Sequence, residues 1–206
     1  MSGIYIHIPF CKKACHYCNF HFSTNQNSKS AFIKAVCNEL VLRKSEYTSE
    51  EIQSIYFGGG TPTVLEVSEL NTIFQTVYEH YKVSDTSEIT LEANPDDLDL
   101  EKIKRLANTK INRLSIGIQS FHESDLTSMN RAHSAIEAKK CLEIATAYFD
   151  NITIDLMFGM PTMSIEQWRQ NLQTAFGFGI KHLSCYALTV EPKTALEHFI
   201  NKGSHP

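Results

Sequence analysis

Three cysteines stand close together in the run CKKACHYC, at Cys11, Cys15 and Cys18, and the next one, Cys37, comes nineteen residues later. Intracellular thiols bunched this tightly point to metal or redox chemistry. A structural zinc ion takes four ligands and would draw its fourth from His16 or His21. Plain core or surface thiols need no partner, but cysteine otherwise favours isolated burial. An iron–sulfur cluster is the favoured option. A four-iron cluster normally takes four thiolates, so three leave one iron with an open position. An open position is what lets a metal bind a ligand as well as hold a fold.

Other residues of chemical interest are spread along the chain. GGGTPT, residues 58 to 63, is a glycine-rich turn. It lacks the spacing of a P-loop or of G-x-G-x-x-G. It serves either as a tight strand-to-helix turn or as a backbone that approaches a ligand and aims N–H groups at an anion. Glu92 and Asp155 sit in otherwise apolar runs and need partners, either an ion pair or cap or a polar or cationic ligand. Gln119 and Arg131 follow another apolar run, and Arg131 taken alone reads as a surface residue. His7 reads as a hydrogen-bonded packing residue, and Cys37, Cys141, Cys185 and Trp168 as core.

The elements that must position these residues are legible as a repeat of short apolar runs and longer amphipathic ones. The runs IYIHI (4–8), SIYF (54–57), EITLEA (88–93), RLSIGI (113–118), ITIDLMF (152–158) and HLSCYAL (182–188) suit strands of a buried parallel sheet, apolar on both faces. Between them, Phe32, Val36 and Leu40, with Ile33, Cys37 and Val41 beside them, mark one helix. Leu70, Ile73, Phe74, Val77, Tyr78 and Tyr81 mark a second, and a shorter one surrounds Leu98, Ile103 and Leu106. Ser134 with Glu137 and Ser164 with Gln167 form capping boxes that open two more, and Gly177 and Gly179 stop the last. The tail EHFINKGSHP shows no closing element. Some six βα units of about 30 residues each predict an α/β fold, a partial (β/α)6 barrel, since a complete eight-stranded one needs about 250 residues. The unusual residues then fall at the carboxyl ends of the strands, the edge where α/β proteins bind ligands.

Composition narrows the partners. The 206 residues are 42% hydrophobic and 20% charged, with a net charge of -4. That balance argues against a broad nucleic-acid surface. No window nears the 18 or so apolar residues of a membrane span. The start MSGIYIHIPF has no basic stretch followed by a long apolar run, so a cytoplasmic location is expected.

In this order, C-x3-C-x2-C after a first strand and then GGGTP, the chain resembles the radical S-adenosylmethionine (SAM) superfamily. YIHIPFCKKACHYCNF, IYFGGGTPTVL, ITLEANPDDL, INRLSIGIQSF, MNRAH, IDLMFGMP and LSCYALTVEP are similar, in sequence order, to segments of one branch. That branch holds the oxygen-independent coproporphyrinogen III oxidases and the haem chaperone HemW. The resemblance implies that Cys11, Cys15 and Cys18 ligate a [4Fe–4S] cluster whose fourth iron binds SAM. It implies SAM contacts at Tyr5, Tyr17, Gly59, Gly60, Thr61, Glu92, Gln119, Arg131, Asp155 and Ala187. In active members the reduced cluster cleaves SAM to a radical that takes hydrogen from substrate.

The oxidase pattern adds a cysteine two residues past the third, where this chain has Phe20. C-x3-C-x2-C-x-F, with a short start before the loop, resembles the haem chaperone. The resemblance therefore implies a haem chaperone that delivers haem to an acceptor protein. A coproporphyrinogen oxidase is the alternative, and a non-catalytic zinc or iron module a further one. Haem or porphyrin, the acceptor and an electron donor are the implied partners. The carboxyl-terminal domain of the family, with its H-N-x-x-Y-W motif, is not found in these residues, which read as the radical SAM core alone.

Overall fold

The computed structural model describes residues 2–47, 50–161 and 163–204. Six strands form one parallel sheet: β1 (Ser2–Ile8), β2 (Ile52–Gly59), β3 (Val83–Ala93), β4 (Arg113–Gln119), β5 (Ile152–Phe158) and β6 (His182–Ala187). Their order in the sheet is their order in the sequence, without a switch point. Right-handed crossovers in one direction put every connecting helix on the same face. That is the winding of a barrel, here left open, with β1 and β6 as its edges.

The helices are α1 (Lys29–Arg43), α2 (Val67–His80), α3 (Leu100–Ala107), α4 (Glu123–Ser128), α5 (Ala135–Ala145), α6 (Ile165–Gly177) and α7 (Ala195–Asn201). Both expected capping boxes are present: Ser134 accepts from the Glu137 N–H, and Ser164 from that of Gln167. The expected stripes face the sheet, with Ile73, Val77, Ile103 and Leu106 fully buried. Tyr78 departs from its stripe and lies exposed, with Lys110 over its ring at 5.4 Å. Trp168 is half-buried against Phe158, their rings 5.3 Å apart. The tail does have a closing element, since Thr194 caps α7 by accepting from the Glu197 N–H.

The strands differ from expectation in one respect that makes a site possible. They are most strongly apolar on the helix-facing side, where Ile55, Phe57, Leu91, Leu114, Ile116, Ile154 and Leu156 form the core. The opposite, inner face is polar: Thr90 and Glu92 on β3, Arg113 and Ser115 on β4, and Thr153 and Asp155 on β5. Arg113 donates to the Thr90 hydroxyl at 3.1 Å and to that of Thr153 at 2.6 Å, which satisfies the floor of this face. EITLEA and RLSIGI alternate with period two, the mark of a sheet whose two faces meet different surroundings. β6 corrects a second expectation. Cys185 is exposed on this edge strand, where four of the six residues are exposed.

Candidate metal centre

The cysteine loop leaves β1 through Phe10, whose ring packs edge-on against Phe32 of α1 at 5.4 Å. Backbone bonds from Ser23 N to Pro9 O (2.8 Å) and from Cys11 N to Ser23 O (3.0 Å) close its base. Lys12 pairs with Asp97 and Asp96 in the turn after β3, and Asp97 in turn accepts from the Thr63 hydroxyl at 2.9 Å. Cys11 Sγ accepts from Thr61 Oγ1 at 3.4 Å.

The rest of the loop rests on the segment after α4. His16 N donates to Met129 O at 3.1 Å, and His16 Nδ1 lies 3.0 Å from Ser128 O, so that nitrogen carries the proton. Asn130 Nδ2 donates to Ala14 O at 2.7 Å. On its other side the loop meets α7, where Leu196 N donates to His16 O at 2.8 Å and Phe199 packs edge-on to the His16 ring at 5.0 Å. His16 is therefore engaged in packing the loop through Nδ1, an arrangement in which only its Nε2 could ligate a metal. His21 packs beside His7, their rings 6.3 Å apart, and its carbonyl meets His7 Nε2 at 3.1 Å. Among the described residues no three His, Cys, Asp or Glu side chains converge as ligands of a single ion.

Arg131 joins the loop to the sheet. Its guanidinium donates to Cys15 Sγ (3.4 Å), Tyr17 Oη (3.3 Å), Asn94 Oδ1 (2.7 Å) and the Gly117 carbonyl (2.7 Å). Far from lying loose at the surface, it puts a fixed positive charge behind the thiols. Burial pushes the Cys11 and Cys18 thiols up, and the neighbouring sulfurs add to this. Thr61 opposes the rise at Cys11, the Phe20 backbone opposes it at Cys18, and Arg131 opposes it at both.

The glycine turn proves to be structural first. A Cβ on Gly60 would stand 2.7 Å from Phe10 O, and Gly59 has φ +110° with the His7 ring against it. Their N–H groups are already given: Gly60 to Ile8 O at 2.9 Å, Thr61 to Phe10 O at 2.7 Å, and Gly59 to Glu92 Oε2 at 3.2 Å. The turn locks β2 to the root of the cysteine loop, with two of those N–H groups given to backbone carbonyls and that of Gly59 to the Glu92 carboxyl. Glu92 also accepts from Tyr56 Oη at 2.7 Å, so the partner it needed is in part this turn. Burial holds its carboxyl above the usual range. Burial and then the nearby Glu92 push Asp155 up to about 6.

Loop, turn and inner face enclose a cavity of about 400 Å³. Every expected site residue except Tyr5 lines it: Cys11, Cys15, Tyr17, Cys18, Gly59, Gly60, Thr61, Glu92, Gln119, Arg131, Asp155 and Ala187. Tyr5 lies outside, mostly exposed, stacked on Tyr56 at 5.9 Å, because β1 is an edge strand. Gln119 is buried with a left-handed φ of 67°, and its Oε1 has no partner among the described residues. Asn94, Ser115 and Gly117 also line the cavity and were not singled out from the sequence. The period-two pattern that places Glu92 and Gln119 on the inner face would have found them. Phe20 and Phe22 stand at the mouth, with Phe20 67% exposed.

A family model described as "Radical SAM superfamily" matches residues 5–175. The heme chaperone HemW of Bacillus subtilis is 36% identical over 98% of this chain and 54% of its own length. HemW of Escherichia coli is 33% identical over 93% of this chain and 52% of its own. A mouse protein, radical S-adenosyl methionine domain-containing protein 1, mitochondrial, is 32% identical over the full chain and 47% of its own length. The chain thus spans about half the length of the curated relatives it matches. Among solved structures, coproporphyrinogen III oxidase (HemN) from Escherichia coli, a radical SAM enzyme, superposes with a TM-score of 0.88 at 25% identity. That match covers 99% of this chain and 48% of HemN.

Proposed function

The chain belongs to the radical SAM superfamily, in the branch that contains HemN and HemW, and on that premise we propose that it is the radical SAM core of a HemW-like haem chaperone. The observation that carries this reading is one cavity lined by three thiols together with the half-buried acids Glu92 and Asp155. The residues fit a [4Fe–4S] cluster and SAM. Three thiols without a fourth ligand suit a cluster with one open iron. The unpartnered Gln119 Oε1 and the raised Glu92 and Asp155 carboxyls suit a ligand that brings donors and positive charge.

Cys11, Cys15 and Cys18 would hold the cluster as thiolates. Arg131 offsets their negative charge and holds Cys15 and Tyr17 through a single guanidinium nitrogen. Gly59, Gly60 and Thr61 keep the loop root in place, and Glu92, Gln119, Asp155 and Ala187 present the ligand-facing groups. When bound, the cluster with SAM on its open iron supplies one-electron chemistry. Tyr5 would act from the rim through Tyr56, outside the cavity. Six free thiols suit the reducing cytoplasm, where we place the protein. No helix among the described residues is long and apolar enough to cross a membrane.

The chaperone reading rests on the relatives named HemW and on Phe20, which stands at the cavity mouth in place of the oxidase branch's extra cysteine. The close superposition on HemN favours the oxidase as the second reading. Incubation of anaerobically reconstituted protein with SAM, dithionite and coproporphyrinogen III separates the two. The chaperone reading expects no protoporphyrinogen, together with haem transfer from the loaded protein to an apo-acceptor. Rapid protoporphyrinogen formation would overturn it.

A further inference from the structure

Helix α4 ends in a left-handed turn. Asn130 N donates to Thr127 O at 3.0 Å and Arg131 N to Leu126 O at 2.9 Å, with Asn130 at φ 57°. This pair of bonds around one left-handed residue is the Schellman ending, where glycine is the usual occupant because it lacks a Cβ. Asparagine tolerates the conformation but is not the least strained choice. A cap alone therefore does not account for its side chain.

That side chain has a partner across the chain. Asn130 Nδ2 donates to Ala14 O, at the peptide that links Ala14 to Cys15. On either side, Lys13 Nζ donates to Arg131 O at 3.3 Å and His16 N to Met129 O. Three consecutive residues, Met129 to Arg131, thus hold four consecutive loop residues, with Arg131 also touching the Cys15 sulfur. Of these, only the Asn130 bond acts on the Ala14 carbonyl next to Cys15.

We propose that Asn130 is a positioning residue, whose side-chain amide holds the Ala14–Cys15 peptide and so aims the Cys15 thiol into the cavity. The role of Cys15 as a cluster ligand is the part that rests on the proposed function; the bond itself does not.

Asn130→Gly keeps, and relaxes, the left-handed backbone but removes the donor. Asn130→Asp keeps the shape but sets an acceptor against a carbonyl. Two measurements are made on the full 206-residue chain: hydrogen exchange at the His16 amide in the metal-free protein, and the half-life of bound iron against a chelator after anaerobic reconstitution. Both variants are expected to lower His16 protection and to shorten the iron half-life, each about tenfold, the order set by one lost hydrogen bond. Asn130→Gly should keep the wild-type thermal midpoint, which separates positioning from a cap that only stabilises the fold. If the wild type holds iron and Asn130→Gly equals it in both measurements, the positioning role is overturned and the cluster reading stands. If the wild type takes up no iron while Asn130→Gly still loses His16 protection, the positioning role stands and the cluster reading falls.

Discussion

At the scale of single residues, the cavity concentrates charge that the fold must hold against its own preference. Asp155, raised from 3.8 to about 6 by burial and by Glu92, keeps a proton in the folded chain at pH values where the unfolded chain has lost it. Within that window the native state binds more protons, so stability falls as pH rises and stays lower above about 6. Asp155→Asn should therefore melt at a higher temperature than the wild type at pH 7, and the gap should close near pH 4; thermal melts across that range would show it. The same variant should bind SAM less well, the usual exchange between a strained site and stability. Glu92 and Asp155 were legible in the sequence as acids in apolar runs, and Cys11, Cys15 and Cys18 as a spaced set. Arg131 was legible only through the resemblance, and Asn130 and the Lys12–Asp97 pair were not legible at all. Their bonds to the cysteine loop, or from it, join residues 84 to 118 positions apart, and no local spacing encodes that.

At the scale of elements, the two faces of each inner strand divide the labour. Phe57 points away from the cavity, fully buried, with its ring 5.3 Å from that of Phe74 on α2. Phe57→Ala should cost about 3–5 kcal/mol in a urea melt, because β2 is packed on both sides and cannot collapse onto the void. The edges behave differently. Cys185 on β6 lies exposed, whereas Cys141 on α5 is buried and its thiol is pushed up to about 12. Iodoacetamide should modify Cys185 in the native protein and reach Cys141 only on unfolding, as peptide mass analysis would report. Strand and helix positions were readable because their periodicity is strong. The polar inner face was misjudged because a mixed run such as ITIDLMF looks apolar by content even where its alternate members face a cavity. α4 and α7 were missed because each has two turns or fewer, too short for an amphipathic stripe to stand out.

For the molecule as a whole, an open six-stranded arc with its crossover helices on the outer face leaves a polar inner wall, and the loop after β1 covers one end of it. That loop is pinned from below by residues 128–131 and from the side by α7, so the chain after β6 is coupled to the thiols through His16 and the Asn19–Glu191 bond at 3.0 Å. The central claim is that this arrangement holds a four-iron cluster with an open iron for SAM. Its most direct test is electron paramagnetic resonance of the anaerobically reconstituted, dithionite-reduced chain, with and without SAM, alongside metal analysis. The account predicts about four irons per chain, lost in Cys15→Ala, and a reduced-cluster signal that changes when SAM is added. A chain that binds zinc alone, or a cluster signal that SAM leaves unchanged, would contradict it.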